Sequence, residues 1–170
     1  MNNLTEEFIE QSLIKIDEYT GKIEQCLEEL TEEEIWLQPN DSSNSVGNLM
    51  LHLNGNITQY IVSSLGSRED MRERDKEFNT REGYDKNELR RMLSSLISEI
   101  KSIINNLTNE DLLKVRSVQG FELSGLAIVL HVVEHYSYHT GQIVFWTKLL
   151  KNKDLGFYKN LDLNQKNVIG

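Results

Sequence analysis

Four histidines stand in the 170-residue chain, and three of them, His131, His135 and His139, follow one another at four-residue intervals. On a helix each four-residue step drifts by only about 40°, so the three imidazoles form one stripe and neighbours can share an ion. Neutral imidazole nitrogen binds transition metals near neutral pH, which makes an i, i+4 pair half of a metal site. The fourth, His52, belongs to a stretch in which Ser45, Asn48, Asn56, Gln59 and Ser63 recur on one side, with Gly55 beside it and Leu49 and Leu53 on the buried side. Small and polar residues there leave room between helices that aliphatic side chains would fill. With His52 facing His135 and His139, three nitrogen donors are complete and at least one coordination position stays open, as a reactive rather than a structural site requires. His131 is then a bystander, Gln142 falls on the ligand stripe, and Glu134 flanks it as a supporting or surface group. Tyr136, Tyr138, Phe145 and Trp146 read as packing residues.

The same residues offer a competing motif. His131-Val132-Val133-Glu134-His135 matches H-x-x-E-H, the inverted zinc-peptidase signature in which glutamate is the base. That chemistry needs a further ligand downstream, and beyond His135 the only acids are Asp154 and Asp162 in a short tail. The bundle reading is preferred.

The elements that would carry these residues are helical. Leu4, Phe8, Ile9, Ile16, Tyr19, Ile23, Leu27 and Leu30 repeat at three- and four-residue steps and predict a first helix over 4–30. Cys26 lies on its apolar face and reads as a buried, inert thiol. Thr31 and Glu34 have capping-box spacing, and Pro39 with the polar run after it supplies a turn. Ser45 caps a second helix ending near Gly66; Asp85 begins a third that closes near Asn105-Asn106; a fourth and most apolar helix runs from about Ser124 to Lys151. Residues 67 to about 84 alternate in charge and are read as a solvated connector, and Thr108 to Gly120 as a polar connection. No strand pattern is discerned. Four long helices predict an all-α, antiparallel four-helix bundle. Simple up-and-down order is the first expectation, and the long second connection permits a crossover. One domain is expected over 1–170, with its core at about 4–151 and an extension over 152–170 in which Leu155, Phe157 and Tyr158 could fold back.

Composition narrows the partners. Eighteen basic against 27 acidic residues give a net charge of −9, the wrong sign for binding nucleic acid or anionic lipid. No apolar run reaches the roughly 20 residues that span a bilayer, and the first residues carry no secretory pattern, so the expected location is cytoplasmic.

Two segments are similar to a known family. Asn44-Ser45-Val46-Gly47-Asn48-Leu49-Met50-Leu51-His52-Leu53-Asn54-Gly55-Asn56 and Glu134-His135-Tyr136-Ser137-Tyr138-His139-Thr140-Gly141-Gln142-Ile143 resemble the DinB/YfiT-like superfamily of metalloenzymes. Arg72-Glu73-Arg74-Asp75-Lys76-Glu77-Phe78 resembles the Arg-x-Arg-Asp-x-Glu-Phe segment of one uncharacterised branch. The resemblance implies a four-helix bundle, a homodimer, and zinc or nickel on His52, His135 and His139. Characterised members include transferases and isomerases that use bacillithiol, mycothiol or related low-molecular-weight thiols, and many others are labelled hydrolases. The expected function is therefore a metal-dependent thiol S-transferase acting on a small molecule, with Gln142 or Glu134 orienting a substrate. A metal-dependent hydrolase and a non-catalytic metal-binding dimeric bundle are the alternatives.

Overall fold

A computed structural model describes residues 3–168. Every α-helix but α4 begins where a side chain can satisfy its first free N–H groups. Asn3 caps α1 (Leu4–Glu29), Thr31 caps the short α2 (Glu32–Trp36), Ser45 caps α3 (Val46–Ile57), and α4 spans Arg74–Asn79. Asp85 caps α5 (Lys86–Asn105), Thr108 caps α6 (Asn109–Leu113), and Ser124 caps α7 (Gly125–Lys151). All but the Ser124 cap and the uncapped α4 are reciprocal capping boxes. Beyond Ile57 the second long helix continues as a π-helix over Thr58–Leu65, and its wider turn shifts the register of everything after it.

Four long helices enclose one core that includes Ile16, Ile23, Leu27, Leu53, Ile57, Ile61, Leu93, Ile100, Ile128 and Ile143. Their directions follow from the side chains they share. Thr20 meets Tyr136 and Cys26 lies beside Thr147, so α1 and α7 run the same way. Glu24 meets Arg90 while Asp17 meets Lys101, so α5 runs against α1. His52 meets His135 while Tyr60 stacks on His131, so α3 runs against α7. The order is therefore up, down, down, up: the second connection makes the crossover that its length permits. Cys26 is buried, and burial raises its thiol pKa against a lowering side-chain hydrogen bond with Thr147.

Two expectations for the connections do not hold in full. Thr108–Gly120 is not simply polar loop, because after α6 the chain forms a hairpin of β1 (Val115–Val118) and β2 (Phe121–Ser124), paired antiparallel with Val118 opposite Phe121. Its two-residue turn, Gln119-Gly120, has positive φ at both positions (52° and 82°), the geometry that matches the twist of a tight hairpin and that glycine tolerates best. Residues 67–84 are largely exposed, as a solvated connector would be, but they are more than that: α4 packs on α3, and Glu77 is buried. In the tail Leu155 is buried and its carbonyl accepts from Gln25, while the Tyr158 hydroxyl accepts from Lys22. Among the described residues no helix is long and apolar enough to cross a membrane.

Candidate metal centre

The antiparallel passage of α3 past α7 brings three histidines from two distant segments to one point. His135 Nε2 lies 3.1 Å from His52 Nε2 and 3.1 Å from His139 Nε2, and the three ligand atoms all fall within 4.8 Å of one another. With bonds of about 2.0–2.1 Å, nitrogens around a tetrahedral zinc lie roughly 3.4 Å apart, so the spacing suits a shared ion.

The outward nitrogens decide what the inward ones can do. His52 Nδ1 is 2.9 Å from Glu77 Oε2. A lone pair there would face a carboxylate, so Nδ1 carries the hydrogen and Nε2 presents its lone pair inward. His139 Nδ1 likewise donates to Gln142 Oε1 at 2.8 Å, which frees its own Nε2. Two lone pairs thus aim at the nitrogen of a third imidazole, and only a proton or a cation among them relieves the repulsion. His135 Nδ1 is buried without a hydrogen-bond partner among the described residues. Burial, followed by neighbouring His139, His52, His131 and Arg72, lowers the pKa of His135 to about 3; burial also lowers that of His139, against the Gln142 hydrogen bond. His135 and His139 are thereby biased to the neutral form, the one in which imidazole binds metal. These donors fit a divalent transition-metal ion.

Behind His52 stands a group that the sequence reading left in solvent. Arg72 grips Glu77 with two parallel bonds, Nε to Oε1 at 2.7 Å and Nη2 to Oε2 at 2.9 Å, the bidentate geometry that is strongest for this pair. Its side chain is only 3% exposed, and Nη1 donates to Gln59 Oε1 at 2.8 Å. Gln59 in turn donates to Asp70, which accepts also from the Arg72 backbone N–H. Burial opposes ionisation of Glu77, but hydrogen bonds from Arg72 and His52 outweigh it and hold the carboxyl below its usual range. The polar stripe on α3 is the dock for this strap: Asn48 Nδ2 donates to the carbonyls of Glu77 and Thr80, and Ser63 Oγ donates to that of Glu69. The space expected beside His52 is real, and Glu77 fills it.

Gly55 is what makes room. A Cβ there would overlap Glu77 Oε1 and come within 3.1 Å of Arg72 Nε. Gly55→Ala is therefore expected to push the carboxylate off His52 and weaken metal binding by about 10–100-fold, the usual effect of losing a partner behind a metal-bound histidine. Competition with a chromophoric chelator measures it; equal affinity would remove Glu77 from this role.

The remaining sequence candidates separate clearly. Gln142 joins the centre through His139, whereas Glu134 is exposed and acts on His131 by charge alone. His131 lies outside the convergent set, stacked between Tyr60 (4.2 Å) and His135 (5.5 Å), so the fold does not pair His131 with His135 in the way an H-x-x-E-H site requires. Tyr136 is buried and Trp146 packs against the core, but Tyr138 and Phe145 are exposed, against their reading as packing residues. Phe78, read from sequence only as part of the charged segment, lays its ring 4.7 Å from that of His52.

A four-helix bundle with its second connection strapped over a three-histidine cluster is a DinB-like fold. The model of a family of unknown function, DUF1572, matches residues 3–165, and the chain belongs to that family. Solved structures agree on the fold. A conserved protein of Enterococcus faecalis superposes with a TM-score of 0.74 at 18% identity, covering 90% of this chain and all of that one (100%). A DinB-like protein of Bacillus subtilis gives 0.67 at 16% identity over 87% of this chain and 97% of its own. Another, from Bacillus cereus ATCC 10987, gives 0.67 at 16% over 84% and 92%. No curated protein matches.

Proposed function

We propose that the chain is a divalent-metal-dependent enzyme of the DinB/YfiT-like class, in which His52, His135 and His139 hold zinc or nickel and a low-molecular-weight thiol is a substrate of S-transfer. The observation that carries this reading is the convergence of three Nε2 atoms, two of them fixed with their lone pairs inward by Glu77 and Gln142. When bound, the ion supplies positive charge that neutral imidazoles leave uncompensated, which favours ionisation of a thiol at the open position. The thiol comes from outside, because the chain's one cysteine is buried on α1 and bonded to Thr147. Its proton goes to solvent, and its sulfur electron pair forms the new bond to an electrophilic carbon of a second molecule as the bond from that carbon to its leaving group breaks, the leaving group departing with that bond's electron pair and taking up a proton from solvent. Glu77 and Gln142 keep two imidazoles aimed throughout, and Arg72 keeps Glu77 ionised. Exposed Leu126, Leu130, Val115 and Phe121 near the hairpin support assembly as a homodimer.

The test is a screen of small thiols against the metal-loaded protein, with chelation followed by thermal melting. Saturable thiol binding and a modest fall in melting temperature on chelation are expected. A large fall with no thiol bound would make the ion a structural support instead.

A further inference from the structure

Residues Pro39, Ser43, Asn44, Leu49, Gln142, Phe145, Trp146 and Leu149 enclose a cavity of about 430 Å³ between the loop before α3, α3 itself and the second half of α7. Small-molecule sites span roughly 300–1,000 Å³. Its apolar walls face solvent, with Phe145 69% and Leu149 60% exposed. Its polar groups are few and converge from the Ser43-Asn44 rim and from Gln142, and no charged side chain lines it. The N-terminal end of α3 lies at the same rim and favours negative charge there. Gln142 is the informative member. Its Oε1 already accepts from His139 Nδ1, so only the amide –NH2 remains for a ligand, and that group calls for an acceptor.

We propose that this cavity binds a small molecule with an aromatic body and a hydrogen-bond acceptor, the ring against Phe145, Trp146 and Leu149 and the acceptor on Gln142 Nε2. Occupancy is then felt at the metal centre, because any pull on the Gln142 amide moves the partner of His139. The binding itself does not depend on the S-transfer reading, because the cavity meets the centre only through Gln142. A second copy of the chain is the other conceivable occupant, but a concave site built on three elements with a directed acceptor requirement suits a small molecule better than a flat helix face does.

8-Anilinonaphthalene-1-sulfonate, an aromatic ring system bearing sulfonate acceptors, is the probe. Titrated into the full chain, it is expected to bind one to one, and Phe145→Ser with Leu149→Ser is expected to weaken it at least about 10-fold, the equivalent of about 1.4 kcal/mol. Both positions are exposed, so the double variant should keep its circular dichroism and melting temperature. Coupling is read from the His139 ring resonances by NMR, which should move on probe binding in the native chain and stay still in Gln142→Leu. Equal affinity in the double variant overturns the site, as does a native dimer that ignores the probe and dissociates on the same substitutions. Unmoved His139 resonances with the probe bound overturn the coupling. Metal analysis of the same samples judges the metal reading separately, since neither the titration nor the resonances require an ion.

Discussion

His135→Ala is expected to reduce metal content from about one ion per chain to background, by elemental analysis of protein purified without chelator. His135 is the hub: its Nε2 lies 3.1 Å from each of the other two nitrogens, and without it His52 and His139 retain two ligands and no third. Losing a partner that merely orients a ligand lowers affinity by about 10–100-fold, and losing a ligand itself must exceed that. His131→Ala is the comparison. It sits four residues away and removes a ring stacked on Tyr60, so it perturbs packing while leaving all three converging nitrogens in place. Occupancy should therefore survive in His131→Ala and vanish in His135→Ala. Unchanged metal in His135→Ala would remove the centre, and loss in both variants with intact folding would bring back a His131–His135 pairing.

Arg72→Met should be the most destabilising single change in the strap. It strips the guanidinium from Glu77, which is 8% exposed, and breaking a buried pair by removing one partner costs about 3–5 kcal/mol. Against a total of about 5–15 kcal/mol that is a large share. At about 2–4 °C per kcal/mol for a chain of this size, the melting temperature should fall by roughly 6–20 °C. Glu77 cannot relax into water without pulling the strap off Asn48 and leaving His52 Nδ1 without an acceptor, so metal affinity should fall with stability. Adding Glu77→Gln to Arg72→Met removes the stranded charge and should recover much of the loss, giving the two sites a strong coupling energy in a double-mutant cycle. A native melting point in Arg72→Met would show the pair to be ornamental.

The four long helices were legible because apolar residues at three- and four-residue steps specify the period, and Ser45, Asp85 and Ser124 mark the start of the last three. The histidine cluster was legible for a related reason, since i, i+4 spacing on α7 fixes two donors and the polar stripe on α3 marks where a third belongs. The strap was not. Arg72 and Glu77 sit in a run of alternating charge, and a buried pair looks the same in sequence as two solvated ions. The signals were on the other partner: Asn48 in an apolar run and Gly55 one turn from His52 marked a surface built to receive something. The hairpin was missed because its strands are four residues each, too short for alternation to register, although Gln119-Gly120 between Val118 and Phe121 was a turn signal. The π-helix leaves no periodic signature, since one widened turn after Ile57 only displaces the pattern that follows.

The separation of the ligands along the chain dictates when the centre can be assembled. His52 and His135 are 83 residues apart, so bringing them together closes a loop whose entropy alone opposes contact by roughly 4 kcal/mol. A growing polypeptide that has emerged only as far as α5 owns one donor, already anchored by Glu77, and no partner for it. The three-nitrogen set therefore cannot form until α7 has been synthesised and has settled against α3.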